Sequence, residues 1–162
     1  KGFPEVNWLH VSGGESVIRF LRNAWQKNLG LDLQPQSLDW ETFLQRLSQN
    51  PPDLWLTGWA ADFPDPDCML RPTFHSEHGM YSNSIRWRNI LFDAPVEQAG
   101  RISDHRQRIR LYQQADWILV AEDAVVMPLT YGERRMLVKP WLALPAALSI
   151  QMPLNHLVLI RR

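Results

Sequence analysis

The chain has 162 residues, 45% of them hydrophobic and 21% charged, with Lys+Arg and Asp+Glu each totalling 17. That length suits one domain with a real core, and the balanced charge supplies no net field for nucleic acid or an anionic membrane. No apolar run approaches the length of a membrane span.

Val6 to Val11 reads as a strand, and Ser12-Gly13-Gly14-Glu15 after it has capping-box spacing. A helix follows with Val17, Ile18, Leu21, Ala24, Trp25 and Leu29 on one face, and Gly30 placed to stop it. Leu31 to Pro35 reads as a second strand broken by its proline. Asp39 caps a second helix, Trp40 to Ser48, with Trp40, Phe43, Leu44 and Leu47 facing inward. Asn50-Pro51-Pro52 is a turn, and Leu54 to Thr57 a short buried strand. This β-α-β-α-β order predicts an α/β fold, a parallel or mixed sheet flanked by helices.

Beyond Gly58 the chain enters Trp59-Ala60-Ala61-Asp62-Phe63-Pro64-Asp65-Pro66-Asp67. Pro64 and Pro66 forbid helix and ladder pairing and push Phe63 and Asp65 towards extended geometry. A stiff loop carrying one indole and three carboxylates is expected at a strand's end, where ligands sit in open α/β sheets. Residues 68–86 carry loop chemistry with no periodic run. A weak helix is expected from Trp87 to about Gly100. Asp104 then caps a stronger one burying Ile109, Tyr112, Ala115, Ile118 and Leu119, with Arg106, Arg108 and Arg110 on its solvated face. Ala124 to Tyr131 has a buried-strand pattern, and Arg135 to Lys139 suits a hairpin partner. After Pro140 the tail turns Leu-, Ala- and Pro-rich, ending in the strand-like Leu157 to Ile160.

Several chemistries suit the loop. Asp62, Asp65 and Asp67 are hard-cation ligand types, but the calcium-loop glycine and closing glutamate are missing. Cys68, the one cysteine, excludes a disulfide framework; with His75 and His78 it gives only a partial zinc set. Asp62 and a second carboxylate, with Trp59 as a sugar platform, would suit a glycosidase, yet nothing fixes the second acid's position. No phosphate loop, nucleophile elbow or HExxH is present, so a catalytic reading has no motif. Asp62 alone reads equally as a carboxylate tightening its own turn or as the counter-ion of a cationic ligand group.

Gly58-Trp59-Ala60-Ala61-Asp62-Phe63-Pro64-Asp65-Pro66 resembles the Gly-Trp-x-x-Asp-Tyr-Pro-Asp-Pro signature of the peptide-type solute-binding proteins of ABC transporters, the oligopeptide- and dipeptide-binding group. Gly2-Phe3-Pro4-Glu5, Leu29-Gly30-Leu31, Trp40-x-x-Phe43 and Trp87-x-Asn89-x-x-Phe92-Asp93 resemble further family segments in the family's order. So does Arg108-x-x-Leu111-Tyr112-x-x-Ala115-x-x-Ile118-Leu119 followed by Val126-Met127-Pro128-Leu129. Phe63 stands where tyrosine is usual and Ile90 where proline is usual, so a loop-anchoring hydroxyl and a rigid turn are lost.

The resemblance implies one lobe of a two-lobed periplasmic-binding-protein-like fold: residues 1–139 as the carboxyl-terminal ligand-binding lobe, residues 140–162 as a return segment to a missing first lobe. It implies a non-catalytic protein without cofactor or metal, holding a peptide or other small solute between lobes and delivering it to permease subunits. Trp59, Ala60, Asp62 and Phe63 are the ligand-binding candidates, with Asp62 pairing the peptide's amino terminus and backbone at Trp59 and Ala60 running alongside it. The expected location is extracytoplasmic, in the periplasm or lipid-anchored at the outer face of the cell membrane, although the opening Lys1-Gly2-Phe3-Pro4 carries no signal pattern. The same scaffold admits an oligosaccharide or nickel complex as ligand. A carbohydrate-active enzyme using Trp59 and Asp62, or a metal module at Asp65, Asp67, Cys68, His75 and His78, are the rivals from other classes. The apolar tail is expected to favour a homodimer of the fragment.

Overall fold

Strand β1, Trp8–Val11, has partners on both sides: β2, Pro35–Leu38, and β3, Leu54–Leu56, each parallel to it. The resulting three-stranded sheet has the order β2-β1-β3. Its crossovers are helices α1, Glu15–Leu29, and α2, Trp40–Gln49. The parallel sheet with helical crossovers is the arrangement expected from the strand–helix alternation, because parallel neighbours need a long connection. The computed structural model describes residues 3–131, 137, 139, 141–143 and 158–159. Contacts divide the chain into two units, residues 1–59 with 83–86, and residues 60–82 with 87–162.

In the first unit, Trp8, Ile18 and Leu21 form a buried cluster on which Val17, Trp25, Leu33, Leu54 and Leu56 pack. The Trp8 and Trp25 rings lie 5.0 Å apart. Gly30 ends α1 in the left-handed region (φ 68°), its N–H bonding Gln26 O while Leu31 N–H reaches Trp25 O. Asp39 caps α2 as expected, accepting from the Thr42 amide at 3.0 Å and the Thr42 hydroxyl at 2.7 Å. Phe43 and Leu47 are its buried positions.

Some local expectations fail. Leu29, Trp40 and Leu44 are exposed, since a stripe of period 3.6 marks a face but not the width a neighbour covers. The expected capping box is absent: Glu15 accepts from the Gly13 amide at 2.9 Å rather than from that of Ser12, and both the Ser12 amide and its hydroxyl donate to Leu38 O, at 2.9 and 3.1 Å. The helix starts late enough that Gly14, not Ser12, is its cap. Strand β2 begins at Pro35 rather than ending there. A proline at the first residue of an edge strand removes no ladder bond.

The second unit is helical: α3, Asp67–Phe74; α5, Ile90–Gly100; and α6, His105–Trp117, which continues into one π-helical turn, Ile118–Glu122. The short helix α4, Ser82–Ile85, lies between α3 and α5 in sequence; its Ser84 hydroxyl, in the first unit, donates to Leu47 O at 2.8 Å. Leu70, Phe92, Val96, Ala99, Tyr112 and Ala115 lead the buried cluster. Asp104 caps α6 through the Gln107 amide at 2.8 Å, and four of the five expected core positions are buried, Ile109 being half-buried. The loop expected over 68–86 instead begins with α3, because Asp65 accepts from the Asp67 amide at 2.9 Å and starts the helix turn. Helix α5 starts at Ile90, not Trp87, because Asn89 caps the Leu91 amide at 2.9 Å.

The strand expected at Ala124 to Tyr131 is absent. Ala124 takes a left-handed φ of 50°, Val125 and Val126 pack on the cluster, and residues 127–131 are exposed. Apolar alternation makes a strand only beside a partner, and among the described residues none pairs there. Strands β4, Leu142–Ala143, and β5, Val158–Leu159, pair antiparallel, β5 falling inside the strand-like run expected at the end. The hairpin expected at Arg135 to Lys139, and most of residues 140–162, lie outside the described residues.

Candidate functional site

In the first unit, β2 and β3 flank β1 on opposite sides, so the chain changes direction beside β1. In such sheets the crevice beyond the carboxyl ends at this switch is the ligand position. Two segments stand there. One is the turn at Ser12-Gly13 with Gly14 after β1, the other the irregular Thr57-Gly58-Trp59 after β3. Gly13 needs a φ of 100°, which only glycine adopts cheaply. A Cβ on Gly14 would come to 3.4 Å from Leu56 Cδ2 and from Val11 O, so the segment after β1 stands in van der Waals reach of the last residue of β3. The Gly13-Gly14 pair, expected as part of a helix start, thus stands beyond the carboxyl end of β1. Trp59 is half-buried at the end of the segment after β3.

Ala60, Asp62 and Phe63 belong to the second unit, and all three are exposed there. The Asp62 amide donates to Cys68 Sγ at 3.1 Å, and the Cys68 amide donates to Asp65 O at 3.1 Å. Cys68, 3% exposed, is thus a buried acceptor for the Asp62 amide. Among the described residues nothing bonds to the Asp62 carboxylate.

The neighbouring carboxylates differ. Arg108 Nη2 lies 3.0 and 2.9 Å from the two oxygens of Asp65 and donates to the Tyr112 hydroxyl at 3.2 Å. That hydroxyl donates to Asp67 Oδ1 at 2.9 Å, and Arg71 Nε donates to both Asp67 oxygens at 3.0 and 3.1 Å. Arg71 Nη2 reaches Val96 O at 2.7 Å. The bond to Tyr112 and the Asp65 charge hold the Arg108 guanidinium above its ordinary pKa. Burial pushes the Tyr112 hydroxyl up, with Arg108 opposing and Asp67 reinforcing, so it remains a donor at neutral pH. Arg108 is therefore not part of a solvated basic face, as its spacing suggested; Arg106 and Arg110 are exposed.

The histidines do not join this network. His75 is 1% exposed, accepts from the Glu77 amide at Nδ1 (3.2 Å), stacks on His78 at 4.8 Å and has Nε2 3.3 Å from Glu97. Among the described residues no three His, Cys, Asp or Glu side chains converge to hold a metal ion. A cavity of about 350 Å³ is lined by Asp67, Arg71, His78, Glu97, Gly100 and Arg101. Its charges pair among themselves: Arg71 with Asp67 at 3.0 Å and Arg101 with Glu97 at 3.6 Å.

Residues 12–81 match the family described as bacterial extracellular solute-binding proteins, family 5, middle part. The chain belongs to this family. The periplasmic oligopeptide-binding protein OppA of Salmonella typhimurium is 31% identical over 119 residues, 74% of this chain and 21% of the relative. A di/tripeptide-binding protein of Pseudomonas aeruginosa is 37% identical over 105 residues, 63% of this chain and 19% of the relative. Among solved structures, the murein tripeptide-binding protein MppA of Escherichia coli superposes with a TM-score of 0.72 at 24% identity, covering 85% of this chain and 27% of that one. The fold is therefore that of a periplasmic-binding protein. This family-5 chain spans about a fifth of the length of the curated relatives it matches.

Proposed function

We propose that this chain is the carboxyl-terminal ligand-binding lobe of an extracytoplasmic peptide-binding protein that serves an ABC importer, with residues 1–139 forming the lobe and 140–162 returning towards the rest of the protein. The relatives are solute-binding proteins named for oligopeptides and for di- and tripeptides. Captured peptide is handed to permease subunits at the membrane. Ligand contact falls to Trp59, Ala60, Asp62 and Phe63, with Asp62 as the partner of the peptide's ammonium group.

The observation that carries this reading is the contrast among the three loop carboxylates. Asp65 and Asp67 are held by cations and a hydroxyl, while the Asp62 side chain is exposed with nothing bonded to it among the described residues. A carboxylate held at a loop tip by its own backbone, with its oxygens left over, is suited to a cationic group brought by a ligand. One fixed charge pair and main-chain contacts bind peptides as a class while leaving side chains free to vary.

The test uses the full-length protein, trialanine and N-acetyl-trialanine in calorimetry. Wild type binds trialanine and discriminates against the acetylated peptide, which has no ammonium. Asp62→Ala weakens trialanine binding by about tenfold to a hundredfold, the range of a charge-assisted hydrogen bond, and abolishes the discrimination. Equal affinity of wild type and variant for trialanine sinks the assignment of Asp62.

A further inference from the structure

We infer that Arg108 and Tyr112, on α6, are positioning residues that fix where the Asp62 carboxylate stands, acting through Asp65 and Asp67. The inference rests on the reading of Asp62 as the ligand's charge partner and assigns that partner its support. Neither side chain has an observed bond to Asp62; their effect passes through the backbone.

The coupling is short. Asp62 is held on one side by its own amide on Cys68 Sγ. On the other side two residues, Phe63 and Pro64, separate it from Asp65, whose carboxylate is held by Arg108 and accepts the Asp67 amide. Proline fixes φ at Pro64 and Pro66 and narrows the conformations of Phe63 and Asp65. A displacement of the Asp65 backbone, once its carboxylate is released, is therefore little absorbed at Phe63 and Pro64 and moves the segment that carries Asp62. Tyr112 closes the arrangement. Its ring is 2% exposed in the core, while its hydroxyl accepts from Arg108 and donates to Asp67. Arg71 holds the same Asp67 from within α3, so the helix start is anchored with or without Tyr112. What Tyr112 and Arg108 add is the register of that start against α6. A site whose geometry tolerates little displacement needs such support around the residue that touches ligand.

The departure at Phe63 sharpens the argument. The hydroxyl that a tyrosine would bring to the loop is missing, and Phe63 is 49% exposed. The Asp65–Arg108 and Asp67–Tyr112 contacts are then the observed side-chain bonds that tie this loop to α6.

Tyr112→Phe and Arg108→Gln in the full-length protein test the inference. Tyr112→Phe removes one oxygen and keeps the packed ring, so folding is preserved. Two readouts are taken: amide hydrogen exchange at Asp62 and Asp67, and trialanine affinity in a double-mutant cycle with Asp62→Ala. The expected result is exchange at those amides faster by about tenfold with the core of α6 unchanged, and trialanine binding about fivefold weaker for Tyr112→Phe. In the Asp62→Ala background the same substitution should then cost nothing further. Equal losses in both backgrounds would show a general structural role and overturn the inference, as would unchanged exchange at Asp62. Should wild type fail to bind trialanine, the functional reading fails by itself and the exchange measurement still decides the positioning role.

Discussion

A Cβ added at Gly79 would stand 2.7 Å from His75 O, 2.8 Å from Thr73 O and 2.9 Å from His75 N. All three are backbone atoms in the turn that follows α3, where the Gly79 amide bonds His75 O at 2.7 Å. No side chain can rotate away to make room. Gly79→Ala is therefore expected to cost about 1–3 kcal/mol by overpacking, read as a lower urea midpoint with an unchanged slope. At this scale the same residue type also takes opposite roles within six positions. Asp62 keeps its carboxylate oxygens free of bonds among the described residues, whereas Asp65 and Asp67 serve the fold. The sequence showed the proline-stiffened loop and its aspartates. It could not show that Arg108 and Tyr112 hold Asp65 and Asp67, because they lie more than forty residues away along the chain; Arg71, four residues past Asp67, is a local partner.

At the scale of elements, α5 and α6 are tied at their ends as well as along their packed faces. Asp123, just past the π-helical turn, accepts from the Trp87 indole at 2.7 Å and the Asn89 side-chain amide at 2.8 Å. The Asn89 bond and then the indole bond hold the Asp123 carboxyl below its ordinary pKa. Because the folded value is depressed, this contribution is full above the unfolded carboxyl value, about pH 4. It is lost as pH falls through the lower folded value. Asp123→Asn should accordingly be less stable at neutral pH and lose less stability on acidification below about pH 4, followed by thermal unfolding across pH. A parallel pH profile in the two proteins would show that the carboxylate's charge is not what the two donors recognise. Caps of this kind were legible where they act locally, as at Asp39 and Asp104. Asp123 was not, since both its donors come from the far side of α5.

On the scale of the molecule, each unit has a buried cluster of its own among the described residues. One is led by Trp8, Ile18 and Leu21, the other by Leu70, Phe92 and Val96. They share no residue. Leu21→Ala is expected to cost roughly 2–5 kcal/mol and Phe92→Ala roughly 3–5 kcal/mol. Combined in one protein, the losses should add within about 0.5 kcal/mol, measured by denaturant unfolding. A large departure from additivity would mean that the clusters are energetically coupled.

The sequence by itself determined the family, the β-α-β-α-β order that makes the parallel sheet, the helix caps at Asp39 and Asp104 and the stop at Gly30. Each rests on residues close together in the chain, where periodicity, proline and glycine act directly on the backbone. Tertiary structure alone decided that Ala124 to Tyr131 is not a strand, and that Arg108 faces Asp65 instead of solvent. It also decided that the segments beyond β1 and β3 leave the sheet from neighbouring strands at its switch. These outcomes depend on partners distant in sequence, and a carboxylate, a guanidinium or an apolar strand has no fixed role until its partner is in place.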